Sequence, residues 1–287
     1  GSEMCIRDSI YTLFIKFNIL GELHMKKNLY VLLKGMLFFF SFAIIGSILP
    51  TIPSNNAAIW RFGAELVPFL LIISITLIFC IIDRKTIHIF NNIFFNICIG
   101  IGVGLIWLLI PTLILILTGT MKILKVNYVP SLWLWIISAF LNVIMQELLI
   151  RGYLYQLIKD NYNVITSTII TTTLFTLMHG GVLTYGIIPI LNIITMSLFM
   201  TAILEYTNSL VTPIIIHSIW NIVGSIILGG VSLASDYPNL LEVNFLGNKL
   251  LSGGLCKLEG SIIVLIVNVL LFIIFTELTR KKLKRSN

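Results

Sequence analysis

The chain of 287 residues is 57% hydrophobic and 11% charged, with a mean hydropathy of +1.02 and a formal net charge of +7. These values exclude an ordinary soluble domain and indicate a membrane protein. The positive charge does not indicate nucleic-acid binding, because the basic residues lie mostly in short loops and near the chain ends, where they set membrane topology. The cysteines show no spacing typical of a disulfide or a metal site: Cys5, Cys80, Cys98 and Cys256.

Residues 1–24 do not resemble the start of a membrane protein. The opening letters GSEMCIRDS look like a translated sequencing adapter, and the letters that follow lack the layout of a signal peptide. We predict that residues 1–24 are a non-native or disordered extension and that the native chain begins at Met25. A genuine cytoplasmic or interfacial extension is the alternative.

Eight apolar segments follow, each bounded by polar or charged residues. Apolar helices of this kind can cross a hydrocarbon core of about 30 Å, and no alternating pattern of barrel strands is present. The predicted fold class is therefore all-α: a polytopic membrane helical bundle with about eight transmembrane helices. It forms a single integral membrane domain over residues 25–287, with a four-helix core over residues 131–229. The predicted spans are 29–50, 58–82, 88–118, 131–158, 163–179, 184–204, 209–229 and 260–279.

The basic residues predict the orientation of this bundle. An even number of spans places both ends of the chain on one side of the membrane. Most Lys and Arg residues fall on that side, including Arg84, Lys85, Lys159 and the tail at 280–285. Because cytoplasmic loops are enriched in Lys and Arg, both termini are predicted to be cytoplasmic. The composition is rich in Ile, Asn and Lys, which is typical of low-GC bacteria. The predicted location is therefore a bacterial plasma membrane.

Two features are predicted to be structural. Arg61 and Glu65 lie four residues apart near the outer start of a helix, where they can pair and reach the lipid headgroups. The glycines of the GIGVG motif at 100–104 permit two helices to approach closely, so their role is packing.

Five polar residues inside the later spans need another explanation. Glu147 and Arg151 share one helical face deep in the fourth segment, and His179, His217 and Asn221 lie in later apolar segments. A charge inside a span costs at least about 2.5 kcal/mol, so it requires a partner or a purpose. Structural pairing explains Glu147 and Arg151 taken alone. Together the five can activate water: a carboxylate accepts a proton, imidazoles orient water or bind a metal, and an amide N–H stabilises an oxyanion.

These residues form motifs that resemble the CPBP family of intramembrane endopeptidases, also known as the CAAX-protease and bacteriocin-processing or Abi family. The motifs are Gln146-Glu147 with Arg151, then Phe175 with His179, then His217 with Asn221, and they span residues 140–225. The resemblance implies a peptidase with an active site inside the bilayer that opens toward the cytoplasm, so that residues 131–229 form a four-helix catalytic core.

The resemblance also implies roles for these residues. Glu147 corresponds to the second glutamate of a pair and Arg151 to the arginine that anchors it. His179 and His217 would position water or bind a metal, Asn221 would stabilise the oxyanion, and Phe175 would shape the cavity. The family has a glutamate where this chain has Gln146, and a carboxamide cannot accept a proton from water. Three outcomes are open: Glu147 serves as the base after a helix rotation, the site binds a substrate but cleaves slowly, or activity is lost.

The resemblance leaves the cofactor and the exact function open. His179, His217 and Glu147 would supply three ligands of a catalytic zinc site, as in a metalloprotease. A metal-free mechanism is an equal alternative, because a Glu147 carboxylate held by Arg151 has fewer lone pairs for a metal. The expected substrate is a membrane-associated peptide or a lipidated protein, with bacteriocin or pheromone maturation or self-immunity as the setting. A non-catalytic immunity or scaffold protein is the main alternative, and a transporter with a proton relay is a weaker one.

Overall fold

The computed structural model describes residues 27–87 and 92–286, so the predicted extension at residues 1–24 lies outside the described residues. Within them the chain forms a bundle of apolar helices with one small sheet. We label the elements α1 Lys27–Ile48, α2 Ala57–Asp83, α3 Ile93–Leu117, β1 Met121–Val126, α4 Leu132–Asn161, α5 Val164–Met178, α6 Ile187–Thr207, α7 Val211–Ile227, β2 Leu241–Phe245, α8 Lys249–Ser252 and α9 Ile262–Ser286.

Each predicted span corresponds to one apolar helix, which confirms the all-α, polytopic fold class. Six of the helices are long and apolar enough to cross a membrane, while α5 and α7 are shorter apolar helices. The final helix extends beyond its predicted end at residue 279 and carries the basic tail as additional helical turns. Lysine and arginine side chains tolerate this position because their long aliphatic stems let the charged groups reach water.

Side-chain caps and left-handed residues fix where several helices begin and end. The Asn56 side chain accepts hydrogen bonds from the first amides of α2, and Asn163 accepts one from Thr166 N at 2.8 Å at the start of α5. Such caps satisfy amides that have no partner within the helix. Arg84 ends α2 and Asn208 ends α6, each in the left-handed conformation with φ near 51°. The Asn163 cap starts α5 only two residues after α4 ends at Asn161.

Two helices change their hydrogen-bonding pattern near their midpoints. Residues Leu148–Leu154 of α4 and Trp220–Ile227 of α7 are π-helical. A π segment accommodates more residues per turn than an α-helix and is often found at functional sites. Both segments begin within three residues of a polar position singled out in the sequence, Glu147 in α4 and His217 in α7.

The loops at one end of the bundle pair as a two-stranded antiparallel sheet. Strand β1 pairs with β2, with Met121 opposite Phe245 and an irregularity between Ile123 and Lys125. The sequence predicted residues 230–259 as a long loop with a short interfacial helix. That segment contains β2, the short helix α8 and a 3₁₀ segment, Gly254–Gly260. The sheet is too small to change the fold class, but it ties this loop to the end of α3.

Helix packing places the charged residues at two opposite ends. Helix α6 packs against α9, α3 against α7, and α2 against α4. At the end where α2, α4 and α6 finish, polar contacts join the helices: Lys34 with Asp83, Lys85 with Asp160, Lys159 with Glu205, and Lys282 with the Tyr206 carbonyl. At the end that carries the sheet, Arg61 pairs with Asp236 and Lys125 with Glu242. We call these the basic end and the sheet end.

Candidate active site

A buried network joins Glu147, Arg151 and His217. Arg151 Nη1 donates to both carboxylate oxygens of Glu147 at 2.8 Å, and Glu147 Oε1 lies 2.8 Å from His217 Nδ1. Arg151 Nη2 donates to the hydroxyl and the carbonyl of Ser197 on α6 at 3.0 and 3.3 Å. Glu147 and Arg151 are both fully buried. The predicted pair therefore exists, and it anchors the imidazole of a third helix.

Aromatic packing on Phe175 holds the two histidines beside this network. The Phe175 ring lies 4.5 Å from the ring of His179, 6.2 Å from that of His217, and 4.9 Å from the Arg151 guanidinium. His179 Nδ1 is 2.8 Å from the carbonyl oxygen of Phe175. A carbonyl only accepts, so Nδ1 carries the proton and the Nε2 lone pair is left available. The Glu147 carboxylate assigns the same tautomer to His217.

The length of α5 explains how His179 reaches the depth of Glu147. The helix has 15 residues, and at a rise of about 1.5 Å per residue it extends only about 22 Å, less than the thickness of the hydrocarbon core. It starts next to the basic end and stops inside the bundle, where His179 follows its last residue. Because α5 is short, His179 at its end meets Phe175 and lies beside His217.

A cavity of about 290 Å³ lies next to the network. His179, His217, Asn221 and Gln146 all line it, whereas Glu147 and Phe175 lie behind the histidines and do not. A role for Phe175 in shaping the cavity is therefore indirect, through the two rings that it supports. The remaining lining residues are Asn142, Met178, Ile193, Met196, Trp220, Ser232, Leu233, Ala234 and Glu259.

The amide of Gln146 is oriented by a second polar network. Arg61 Nη1 donates to Glu65 Oε1 at 3.2 Å, and Glu65 Oε2 accepts from Asn142 Nδ2 at 2.9 Å. Asn142 Oδ1 in turn accepts from Gln146 Nε2 at 2.6 Å. Because a carboxylate only accepts, Glu65 fixes the orientation of both amides. Gln146 Oε1 is left buried and without a hydrogen-bond partner among the described residues, and the Arg61–Glu65 pair supports the site as well as the helix start.

The predicted zinc ligands do not fit a metal ion in this arrangement. The Glu147 oxygens accept hydrogen bonds from Arg151 and His217, and Glu147 does not line the cavity that the two histidines share. Among residues 27–87 and 92–286, no group of three His, Cys, Asp or Glu side chains is arranged to hold a metal. We therefore assign no step to zinc.

The cavity lies toward the sheet end of the bundle. Ser232, Leu233 and Ala234, which form part of its wall, belong to the segment that leads from α7 to β2. Two expectations from the sequence therefore conflict. If the basic end and both termini are cytoplasmic, the cavity cannot also open toward the cytoplasm. With the basic end cytoplasmic, as the positive-inside rule predicts, the cavity would lie in the outer half of the membrane.

The sequence did not identify three residues of this site. Ser197 binds Arg151, Asn142 binds Gln146, and Glu259 lines the cavity. Serine and asparagine are common in membrane helices, so Ser197 and Asn142 carried no signal before the helices were placed in space. Glu259 lies outside the predicted spans, although a carboxylate directly before the predicted span 260–279 was a usable signal.

The fold and the site together define a multi-pass membrane protein with a polar, histidine-containing cavity enclosed by its helices. Residues 128–223, about a third of the chain, match the family model described as type II CAAX prenyl endopeptidase Rce1-like. This match confirms the family resemblance predicted from the motifs, and it covers α4 to most of α7. No curated protein and no solved structure matches the chain.

Proposed function

We propose that this protein is an intramembrane endopeptidase that hydrolyses a peptide bond of a membrane-associated peptide. One observation carries the proposal: His179, His217 and Asn221 line one cavity, and Glu147 holds the His217 ring from behind at 2.8 Å. The Nε2 atoms of the histidines can orient a water molecule toward a substrate carbonyl. The family match over residues 128–223 supports the same class of reaction.

Each residue of the site has a distinct role in this proposal. Asn221 donates an amide N–H to the oxygen that becomes negative as water adds to the carbonyl. Gln146 lines the cavity, but its carboxamide cannot take a proton from the attacking water. Glu147 and Arg151 are positioning residues, because they contact His217 and α6 and do not line the cavity.

The proposed substrate is a short extended peptide segment. The cavity of about 290 Å³ is close to the lower limit of about 300 Å³ for small-molecule sites, which suits a few residues of extended chain. Apolar helices surround the cavity, so a substrate with an apolar or lipidated end can approach it through the bilayer. We favour a small peptide precursor, as in bacteriocin or pheromone maturation, over a prenylated protein.

The test is hydrolysis by the purified protein in lipid nanodiscs. Two peptides are offered, one farnesylated near its C-terminus and one with an unmodified apolar end, and products are identified by mass spectrometry. Loss of the Asn221 donor in the Asn221→Ala variant is expected to lower kcat by about 100-fold. The matched control is Asn161→Ala, whose amide bonds the Leu157 carbonyl at the basic end and is expected to leave the rate unchanged.

A non-catalytic immunity or scaffold protein is the second candidate, and Gln146 is the observation that favours it. The cavity would then hold a toxin peptide without cleaving it. The Glu147→Ala and His217→Ala variants discriminate between the two when they are assayed for both cleavage and protection of the host. Full protection by both variants, with no cleavage by the unmodified protein, would replace the enzyme with a binding protein.

A further inference from the structure

The cavity contains a carboxylate from a part of the chain outside the family match. Glu259 is the penultimate residue of the 3₁₀ segment that precedes α9, and it lines the same cavity as His179, His217 and Asn221. Among the described residues that line this cavity, Glu259 carries the sole carboxylate. It therefore supplies at the cavity the negative charge that Gln146 lacks.

The backbone around Glu259 is held firmly. Asn192 Nδ2 on α6 donates to the Glu259 carbonyl at 2.8 Å and to the Ser261 carbonyl at 3.0 Å. Leu258 N donates to the Gly230 carbonyl at 3.0 Å. The segment also turns tightly at Gly253, whose φ of +74° and close approach to Lys257 O leave no room for a side chain. These contacts fix the backbone at Glu259, from which the side chain reaches the cavity wall.

The carboxylate itself is not consumed by an ion pair. Glu65, Glu147, Glu205, Glu242 and Glu277 each form a salt bridge, whereas no salt bridge of Glu259 is found in the described part of the chain. Lys257 Nζ donates to the Gly229 carbonyl instead. Glu259 accepts only N–H groups, from Ser232 N at 3.4 Å and from the Trp220 indole.

A carboxylate without an ion pair in an apolar bundle is unfavourable, so a purely structural role does not account for it. Two weak N–H donors hold the side chain in place and leave lone pairs free to accept from water. The arrangement differs from that of Glu147, whose two oxygens accept hydrogen bonds from Arg151 and His217.

We propose that Glu259 is the general base of the hydrolysis, and this inference rests on the proposed function. The family resemblance gives that role to a glutamate at the position that Gln146 occupies in this chain. Glu259 takes a proton from the water that the histidines orient, and the water oxygen bonds to the substrate carbonyl carbon. When the intermediate collapses, the C–N bond breaks and the proton passes from Glu259 to the leaving nitrogen.

The histidines are less suited to this step. Each has a free Nε2, but Arg151 already neutralises the Glu147 carboxylate beside His217, so a proton on either ring gives the buried network a net positive charge. A proton on Glu259 removes a charge from the interior instead. Transfer of the proton to the carboxylate therefore costs less desolvation.

The test compares Glu259→Gln, Gln146→Glu and the double variant in the nanodisc assay, with the exposed Glu242→Gln as the control. Glutamine keeps the acceptor oxygen for Ser232 N and Trp220, so thermal unfolding is expected to be unchanged. Glu259→Gln is expected to lower kcat by about 100-fold or more with little change in KM, and to remove the acidic limb of the kcat/KM profile against pH. Adding Gln146→Glu to that variant is expected to restore at least a tenfold gain.

The outcomes separate this inference from the proposed function. Cleavage by Glu259→Gln at the rate of the unmodified protein, or with an unchanged acidic limb, would overturn the role of Glu259 and leave the peptidase intact. Cleavage by Gln146→Glu but not by the unmodified protein would overturn both, because it would show that Glu259 cannot act as the base and that the unmodified chain is not a peptidase. Cleavage by neither would overturn both.

Discussion

Arg151 is the residue on which the stability of the site depends most. Its guanidinium joins α4 to α6 and neutralises Glu147, and both side chains are fully buried. We predict that Arg151→Leu destabilises the protein by about 3–5 kcal/mol, because it leaves a buried carboxylate without its partner. The measurement is thermal unfolding of the purified protein. The double variant Glu147→Leu with Arg151→Leu is expected to be more stable than Arg151→Leu alone, because no charge remains unpaired.

The control for this prediction is another Glu–Arg pair in the same chain. Arg280 and Glu277 pair at 2.7 Å but are about half exposed, with side-chain exposures of 59% and 47%. Exposed pairs contribute roughly 0–1 kcal/mol, so Arg280→Leu is expected to change the unfolding temperature little. If Arg151→Leu and Arg280→Leu unfold at the same temperature, the buried pair does not have the role assigned to it.

The sequence predicted the identity of the buried polar residues better than their roles. A charge or a histidine within an apolar span is conspicuous because burial is costly, so Glu147, Arg151, His179 and His217 were all found. Which of them faces the cavity depends on helix rotation, and the π segment after Glu147 alters that rotation. The sequence therefore could not show that Glu147 lies behind His217, or that Glu259 takes part at all.

The contact between α3 and α7 depends on two glycines. A Cβ atom added at Gly104 would lie 2.8 Å from Ile219 Cδ1 and 3.2 Å from the Ile216 backbone, and one at Gly100 would lie 2.8 Å from Ile215 Cβ. We predict that Gly104→Ala costs about 1–3 kcal/mol through overpacking. Because α7 carries His217, the same change is expected to lower activity. The free energy of unfolding and the cleavage rate check this prediction.

Gly102 provides the matched control, since nothing lies within 4 Å of an added Cβ there. Gly102→Ala is expected to leave stability unchanged or to raise it by up to about 1 kcal/mol, because alanine favours the helix. Equal losses at Gly102 and Gly104 would refute close packing as the reason for the motif.

The helices illustrate which structural elements a sequence of this kind can predict. Long apolar runs located every span, and the GIGVG motif correctly indicated a packing surface, because each signal is local. The pairing of β1 with β2 and the two π segments were not predicted. The strands are separated in the chain by the four helices α4 to α7, so their pairing depends on distant partners. The π segments of α4 and α7 lie where these helices pack against other helices of the bundle.

The distribution of charge over the bundle determines where a substrate meets the cavity. Basic side chains and the last turns of α9 gather at one end, while the cavity reaches Ser232–Ala234 near the other. A cytoplasmic basic end therefore makes the cavity accessible from the outer side of the membrane. That orientation suits a peptide that is processed during or after export, and it differs from the cytoplasmic opening implied by the family resemblance.

We predict that the sheet end is extracellular and the basic end cytoplasmic, because Lys and Arg are retained on the cytoplasmic side. Asn244→Cys on β2 and Lys284→Cys near the end of α9 both change exposed residues, and each is made in a variant whose native cysteines are replaced by alanine. In intact cells a membrane-impermeant maleimide is expected to label the Asn244→Cys variant. The Lys284→Cys variant should react only after the membrane is permeabilised. The reverse pattern would place the cavity on the cytoplasmic side and would show that the basic residues do not set the orientation of this bundle.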